Sequence, residues 1–391
     1  MPDFADGSDA LIFSLVVAVR LLVPLFIPRF PLPAILVALV VDAADHSIFQ
    51  QLTDLDLAGY QVFDKGLDIY YLAVAYIATI RNWGGGHAFV IARFLWYWRL
   101  VGVALFEYTD QRWLLVVFPN TFEYFFITIE LIKLSRNPFS LSDRQLTGIA
   151  AAIWIVIKIP QELWIHVAKL DVTDALKEHV FGVEPDSGWA TAVSHRPLGL
   201  VLVLAGCAVL ASIVRLLMGR LPPAEYTRTF DSDEQGHRFG WPTPDPKVVP
   251  TSTFGWAFVE KVVLVSLITM VFLRIVPSAD RTILGVVAGT SALVAVSAVR
   301  NRWLAERSVF WSSVGVQFLA MFVADVVLVL LSREVLPTPN GRSPVGSTLF
   351  LTALLTLMVV LFDRSEAVNE GHWRARRAAR AERVAAKLGA A

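Results

Sequence analysis

Residues 197–218 read PLGLVLVLAGCAVLASIVRLLM, and Arg215 is the only charged residue among them. A membrane-spanning helix needs about 20 mostly apolar residues, because the hydrocarbon core of a bilayer is about 30 Å thick. Ten further stretches meet the same criterion, near residues 10–28, 33–50, 65–82, 87–107, 113–133, 146–167, 254–276, 282–299, 308–332 and 345–363. The sequence therefore predicts an all-α, polytopic integral membrane protein with about 11 transmembrane helices, within a range of 10 to 12.

The composition favours the same class. Hydrophobic residues make up 55% of the 391 positions and charged residues 17%, whereas a soluble domain carries about 25% charged residues. A soluble chain of this composition would expose large apolar patches. The formal net charge of zero gives no sign of nucleic-acid binding. The single cysteine, Cys207, excludes an internal disulfide and a cysteine metal site.

The loop charges predict the orientation. Lys and Arg are enriched in the cytoplasmic loops of membrane proteins. Of the 34 Lys and Arg residues, 20 lie in the loops and tail on one side of the membrane and 7 lie in the loops on the other side. The remaining 7 lie within predicted spans. This bias places the N-terminus outside and the C-terminus in the cytoplasm. The abundance of arginine, alanine and valine is typical of a GC-rich bacterial genome, so we expect a multi-pass protein of a bacterial plasma (cytoplasmic) membrane.

The chain divides into five predicted parts. They are a charged six-helix domain with the candidate site (1–196), a seventh helix (197–218), a Pro-rich cytoplasmic linker (219–252), a four-helix domain (253–363) and a basic tail helix (364–391). The linker is too short and polar to bury a core, so we expect a flexible joint. The alanine-rich tail is expected to form either a solvated helix or a helix that contacts anionic lipid. The acidic N-terminus lacks the positive region of a cleavable signal peptide.

Four aspartates at one membrane boundary give the most informative pattern. Asp42 and Asp45 lie three residues apart at the end of the second span, and Asp64 and Asp68 lie four apart at the start of the third. These spacings put each pair on one helix face. Ionisable groups in spans are costly, and clustered carboxylates cannot all ionise without a cation, a basic partner or shared protons. We therefore predict that the four aspartates are ligands for Mg²⁺ or Mn²⁺.

Further polar residues lie in the outer halves of neighbouring spans. The candidates for substrate binding are Arg99, Lys158, Asn120, Gln161 and His166, and the candidates for acid–base catalysis are Glu123, Glu162 and Asp68. Lys65, Lys158 and Arg99 are expected to neutralise part of the acidic charge. Pro119 and Pro160 precede the two glutamates, and proline interrupts a helix by removing a backbone donor. We expect the carboxylates of several helices to meet in one outward-opening chamber.

The spacing of the aspartates, DxxD followed by DxxxD, resembles the acidic motif of the CDP-alcohol phosphotransferase family. The resemblance covers about 27 residues and implies divalent-metal chemistry, with Asp68 as a possible base. The chain has His46 where that family has glycine, Phe49-Gln50 where it has Ala-Arg, and Tyr60 beside its later glycine. Those positions help bind the nucleotide, and the family's site faces the cytoplasm. The likeness is therefore one of chemistry, and no membership is inferred.

Three functional classes remain open. The first is a divalent-metal-dependent membrane enzyme acting on a phosphate-bearing or lipid-linked substrate, with Arg99 or Lys158 binding the phosphate. The second is a proton- or cation-coupled transporter that uses Glu123, Glu162 and His166 as protonation sites. The third is a non-catalytic membrane scaffold. Membrane lipid is the expected partner in each case, nucleic acid is not, and the sequence leaves the oligomeric state open.

Overall fold

The structure is a computed structural model. It describes residues 7–53, 60–84, 86–134, 136–138, 141–164, 172–220, 229–238, 254–272, 283–306, 314–335 and 345–389. These segments contain helices and connecting turns and no β-strand, which confirms the all-α prediction for the described part of the chain. Within it, six helical segments are long and apolar enough to cross a membrane. They are Gly7–Phe26, His87–Thr109, Trp113–Lys133, Pro197–Leu217, Ile283–Arg300 and Thr348–Asn369.

The apolar residues are arranged as a multi-pass membrane protein requires. None of the apolar window within Pro197–Leu217 is buried, and Leu204, Leu210 and Leu216 are each more than half exposed. A helix with exposed leucine on every face is unfavourable in water, because its apolar surface is hydrated on all sides. The same surface is favourable in the hydrocarbon of a bilayer. The architecture is therefore compatible with lipid as the solvent of these helices.

The chain forms two compact units, which are described separately. Unit 1 comprises Met1–Tyr108 and Thr229–Ala391, and unit 2 comprises Thr109–Arg228. The helices of unit 1 are α1 (Gly7–Leu22), α2 (Pro31–Leu52), α3 (Tyr60–Asn82), α4 (His87–Thr109), α12 (Ser232–Arg238), α13 (Trp256–Phe272), α14 (Ile283–Glu306), α15 (Val314–Val335) and α16 (Val345–Gly389). Those of unit 2 are α5 (Trp113–Val117), α6 (Thr121–Lys133), α7 (Asp143–Ala152), α8 (Ile159–Glu162), α9 (Val172–Ala175), α10 (Trp189–His195) and α11 (Pro197–Gly219).

Helix α3 is the centre of unit 1. It packs against α1, α2, α13 and α16, and its side chains from Ala73 to Ala78 are fully buried. A helix buried on every face is expected at the centre of a bundle. Polar groups at three levels of α3 make long-range contacts: Asp64 and Asp68 near its start, Tyr76 in its middle and Arg81 near its end.

The last four helices of unit 1 are joined by buried polar contacts. Helix α13 packs on α14 and α16, and α15 packs on α16. Lys261 forms an ion pair with Asp363, whose other oxygen accepts a hydrogen bond from Ser297 at 3.0 Å. Thr356 donates a hydrogen bond of 2.7 Å to the fully buried Asp325. Polar contacts of this kind fix the register of apolar helices, because an unpaired polar group in hydrocarbon is costly.

Residues 229–238, within the predicted linker 219–252, make specific contacts with other residues of unit 1. Ser232 accepts a hydrogen bond from Arg81 at 3.0 Å and donates one to the Pro28 carbonyl at 2.8 Å. Asp231 forms an ion pair with Arg29 at 3.1 Å, and Gln235 is buried. Arg29, in the turn before α2, and Arg81, in the last turn of α3, provide partners for an acidic segment, so this short stretch docks without a core of its own. The rest of the predicted linker, residues 221–228 and 239–253, lies outside the described residues.

Replacing Arg81 by alanine should release this segment. Arg81 also bonds the Pro28 carbonyl at 2.6 Å and pairs with Asp233. Loss of these contacts should raise amide hydrogen exchange in residues 229–238 by about tenfold, since a hydrogen bond to a charged group contributes about 1.5–3 kcal/mol before solvent screening. Hydrogen-exchange mass spectrometry measures the effect, and Arg144→Ala, at an exposed arginine of unit 2, is the control. Unchanged exchange would contradict the docking.

A break separates the first two helices of unit 2. Helix α5 ends at Val117 and α6 begins at Thr121, which confirms the predicted interruption at Pro119. Helix α7 begins with a capping box, in which the hydroxyl of Ser142 accepts from the Gln145 amide and the Gln145 side chain accepts from the Ser142 amide. It continues through a π-helical stretch, Ile153–Lys158, directly into α8, which carries Pro160. π-Helical turns occur frequently at functional sites.

The basic tail is helical, as the sequence predicts. Helix α16 runs without interruption from Val345 to Gly389, so the last apolar helix and the tail form one element. The division of the chain into five parts stays a prediction in its other respects.

Candidate functional site

Three helices of unit 1 bring the four predicted aspartates together. Asp42 and Asp45 come from the second half of α2, and Asp64 and Asp68 from the first turns of α3. Helix α1 packs against both helices and contributes Arg20 from its last turn. The helical spacing of each acidic pair is what allows one side chain from α1 to contact all four carboxylates.

The guanidinium of Arg20 lies at the centre of this acidic cluster. Its Nη1 donates to Asp45 and Asp64, and its Nη2 donates to Asp42 and, at 2.8 Å, to Asp68. The side chains of Arg20 and Asp45 are only 3% exposed, whereas Asp64 and Asp68 are 37% and 38% exposed. The cluster therefore has a closed side, formed by Arg20 and Asp45, and an open side.

The cluster carries more negative charge than Arg20 neutralises. Four carboxylates and one guanidinium leave three negative charges when all are ionised. Asp42, Asp64 and Asp68 each offer an oxygen, and these three atoms lie within 4.8 Å of one another. An all-oxygen set of carboxylates suits a hard divalent cation such as Mg²⁺ or Mn²⁺, which retains water on its other positions. The residues present thus fit the predicted metal, although Asp45 lies outside this group of three.

The partner of the aspartates differs from the three basic residues expected to neutralise them. Lys65 lies 4.0 Å from Glu107 and over the ring of Phe106, and Lys158 belongs to unit 2. Arg20 was not among the predicted site residues. Its signal was present, because it is the one charged residue in the apolar stretch 10–28 and an arginine inside a span is costly without a partner.

A second polar cluster in unit 1 joins α3, α4 and α13. Tyr76 donates to Glu260, Arg93 forms an ion pair with Glu260 at 3.0 Å, and Tyr97 lies 3.5 Å from the same carboxylate. Glu260 and Tyr76 are buried. No role was predicted for this group, because its members come from distant parts of the chain. The Glu260 carboxylate accepts a hydrogen bond from Tyr76 and pairs with Arg93, so this cluster connects the three helices.

The predicted catalytic glutamates form a separate cluster within unit 2. The Asn120 side chain donates to Glu123 at 2.6 Å, and its backbone amide donates to Glu162 at 3.4 Å. Both glutamates are buried, as is Lys158, whose ammonium donates to Gln161 at 3.0 Å. The broken helix and the proline-containing helix therefore bring these predicted residues together.

Other predicted site residues stand as follows. Arg99 lies on α4, in unit 1. His166 lies outside the described residues. Because the aspartates belong to unit 1 and the glutamates to unit 2, a common chamber for both stays a prediction.

No protein-family model matches the chain, and no match was found among curated proteins or solved structures. A function can therefore be inferred only from the chemistry of the two clusters.

Proposed function

We propose that this chain is a membrane-embedded, divalent-metal-dependent enzyme that acts on a phosphate-bearing or lipid-linked substrate. In this proposal the eleven predicted spans cross a bacterial cytoplasmic membrane, with the N-terminus outside. The acidic cluster then opens towards the outer face. The observation that supports the proposal is the convergence of Asp42, Asp64 and Asp68 beside the buried Arg20.

Each member of the cluster has a distinct proposed role. Asp42, Asp64 and Asp68 hold the metal through their accessible oxygens. Asp45 and Arg20, on the closed side, position the other three and are not themselves exposed to substrate. The bound ion supplies a Lewis acid that polarises a phosphoryl oxygen and lowers the pKa of water. Asp68, which is partly exposed, is also placed to accept a proton from an incoming hydroxyl or water.

Arg20 is a positioning residue in this proposal. Its five donors satisfy several carboxylates at once, which fixes their side chains at a separation suited to a cation. A neutral residue would leave four acids to repel one another. The phosphate itself is assigned to Arg99, as predicted from the sequence, because Arg20 is buried beneath the carboxylates.

Manganese binding tests the proposal. The purified full-length protein should bind one Mn²⁺ per chain, measured by electron paramagnetic resonance of the free ion. Asp68→Asn should weaken this binding by at least about tenfold, since the negative charge of one metal ligand is lost. Asp186→Asn, which removes an exposed acid of unit 2, is the matched control and should bind Mn²⁺ as the unmodified protein does. The protein should also release phosphate from a panel of lipid phosphates only when Mn²⁺ or Mg²⁺ is present.

The proposal is contradicted if the folded protein binds no Mn²⁺, or if Asp68→Asn and Asp186→Asn behave alike. If the protein binds the metal but turns over no phosphate-bearing lipid, the metal site is supported and the proposal of an enzyme is contradicted.

A cation- or proton-coupled transporter is the second candidate function. The broken helix of unit 2 favours it, because transporter sites commonly lie at interrupted helices whose freed backbone groups face polar side chains. Here the amide of Asn120, directly after the break at Pro119, donates to the buried Glu162.

A further inference from the structure

Two oxygens in unit 2 are buried without a hydrogen-bond partner in the described part of the chain. They are Oδ1 of Asn120 and Oγ1 of Thr121, and Thr121 is only 1% exposed. Burying an unpaired polar atom is unfavourable, and most buried polar side-chain atoms in native proteins have a partner. Two such atoms on consecutive residues at a helix break therefore need a physical explanation.

The position of Asn120 makes this observation specific. Asparagine at the N-cap of a helix normally accepts a hydrogen bond from the first turn through its side-chain oxygen. Asn120 precedes α6, yet its side chain makes no such bond. Its amide nitrogen is instead directed to Glu123 at 2.6 Å. Because Nδ2 of this planar amide is held by Glu123, Oδ1 is directed elsewhere, and the described residues offer it no hydrogen to accept.

Three buried ionisable side chains are described at the break, and together they carry a net charge of one negative unit when ionised. They are the carboxylates of Glu123 and Glu162 and the ammonium of Lys158, and each residue is at least 95% buried. A monovalent cation neutralises this excess, whereas a divalent ion would leave a net positive charge in a low-dielectric site. A proton would also balance the charge, but it would reside on a carboxylate and leave the amide and hydroxyl oxygens unpaired.

We propose that the break between α5 and α6 holds a monovalent metal cation of the Na⁺ type, bound by Oδ1 of Asn120, Oγ1 of Thr121 and the carboxylates of Glu123 and Glu162. The four side chains supply only oxygen, the donor that hard cations prefer. This inference names the ion for the second candidate function and is independent of the divalent site in unit 1. If the chain is a transporter, this is its coupling ion.

The test measures Na⁺ binding by the full-length protein. N-methylglucamine replaces Na⁺ at constant ionic strength, and equilibrium binding of radioactive Na⁺ is followed together with the thermal unfolding midpoint. We expect one Na⁺ per chain and a midpoint that rises with Na⁺ concentration. Thr121→Val removes the hydroxyl at nearly constant volume and should weaken Na⁺ binding by at least about tenfold. Thr121→Ser keeps the oxygen and should restore it.

A matched control lies on the same helix. Thr128 already donates its hydroxyl hydrogen to the Tyr124 carbonyl at 2.7 Å, so Thr128→Val should leave Na⁺ binding unchanged. Without Na⁺, Thr121→Val should be no less stable than the unmodified protein, because it removes an unpaired oxygen. With saturating Na⁺ it should be the less stable of the two. If Thr121 acted only in packing, the stability difference between Thr121→Val and the unmodified protein would have the same sign with and without Na⁺.

The proposal is overturned if the folded protein binds no Na⁺ saturably, or if Thr121→Val and Thr128→Val bind it equally. It is also overturned if the site takes up a proton in place of Na⁺, because the two oxygens would then have no role. Mn²⁺ binding in the same samples separates this result from the enzyme proposal. Thr121→Val should retain Mn²⁺, and Asp68→Asn should retain Na⁺.

Discussion

Arg20→Ala should lower the free energy of unfolding by about 3–5 kcal/mol, the usual cost of breaking a buried ion pair by removing one partner. The loss is large because one guanidinium contacts four carboxylates, and the deeply buried Asp45 loses its ion pair with Arg20. Asp64 and Asp68 are more than a third exposed, so water screens their share of the effect. Reversible denaturation of the purified protein in detergent measures the change.

Two companion measurements identify the cause. Arg20→Lys keeps the charge but has three donors on a compact ammonium, so it should recover only part of the stability. Divalent cation should stabilise Arg20→Ala less than it stabilises the unmodified protein, because the carboxylates are no longer held at the separation that the ion requires and bind it more weakly. An Arg20→Ala protein as stable as the unmodified one would show that the cluster contributes nothing to the fold.

Lys261→Met should destabilise the protein by about 3 kcal/mol, because it leaves Asp363 charged and largely buried. Ser297 continues to donate to Asp363, and Arg300 lies close enough to interact with it electrostatically, so the loss falls at the lower end of the usual range. The same denaturation experiment measures this loss of stability. Comparison with Arg20→Ala tests whether the two ion-paired groups contribute similar free energies of unfolding.

A double-mutant cycle supplies the control for Lys261. Asp363→Asn removes the charge but keeps an acceptor for Ser297, so Lys261→Met with Asp363→Asn should be more stable than Lys261→Met alone. The coupling energy between the two positions isolates the ion pair from the packing of α13 on α16. A coupling near zero would show that the pair contributes no stability.

Local sequence patterns predicted the parts of the fold that depend on local physics. The length and apolarity of a stretch such as 197–218 predict a helix because the bilayer thickness fixes the requirement. The spacing of Asp42 with Asp45, and of Asp64 with Asp68, predicts two acidic faces because helical periodicity is constant. Pro119 predicts a helix break because proline lacks a backbone donor.

The remaining features depend on tertiary contacts that no local pattern contains. Arg20 became the partner of the aspartates only because α1 packs against α2 and α3. The docking of Ser232 depends on Arg81, which is 151 residues away in the chain. The buried oxygens of Asn120 and Thr121 are visible only once their neighbours are placed, since both residues are common at helix starts.

Helix α16 determines how far the basic tail can reach. At 1.5 Å per residue, the 20 residues after Asn369 extend the rod by about 30 Å. The Debye length at physiological ionic strength is about 8 Å, so a lipid headgroup attracts only charges within the first turns of a rod that leaves the bilayer upright. In that posture the backbone of residues 380–389 lies beyond this distance, so the leaflet exerts little attraction on the positive charges of this stretch. They can be neutralised only by soluble anions or by an acidic protein surface in the aqueous phase.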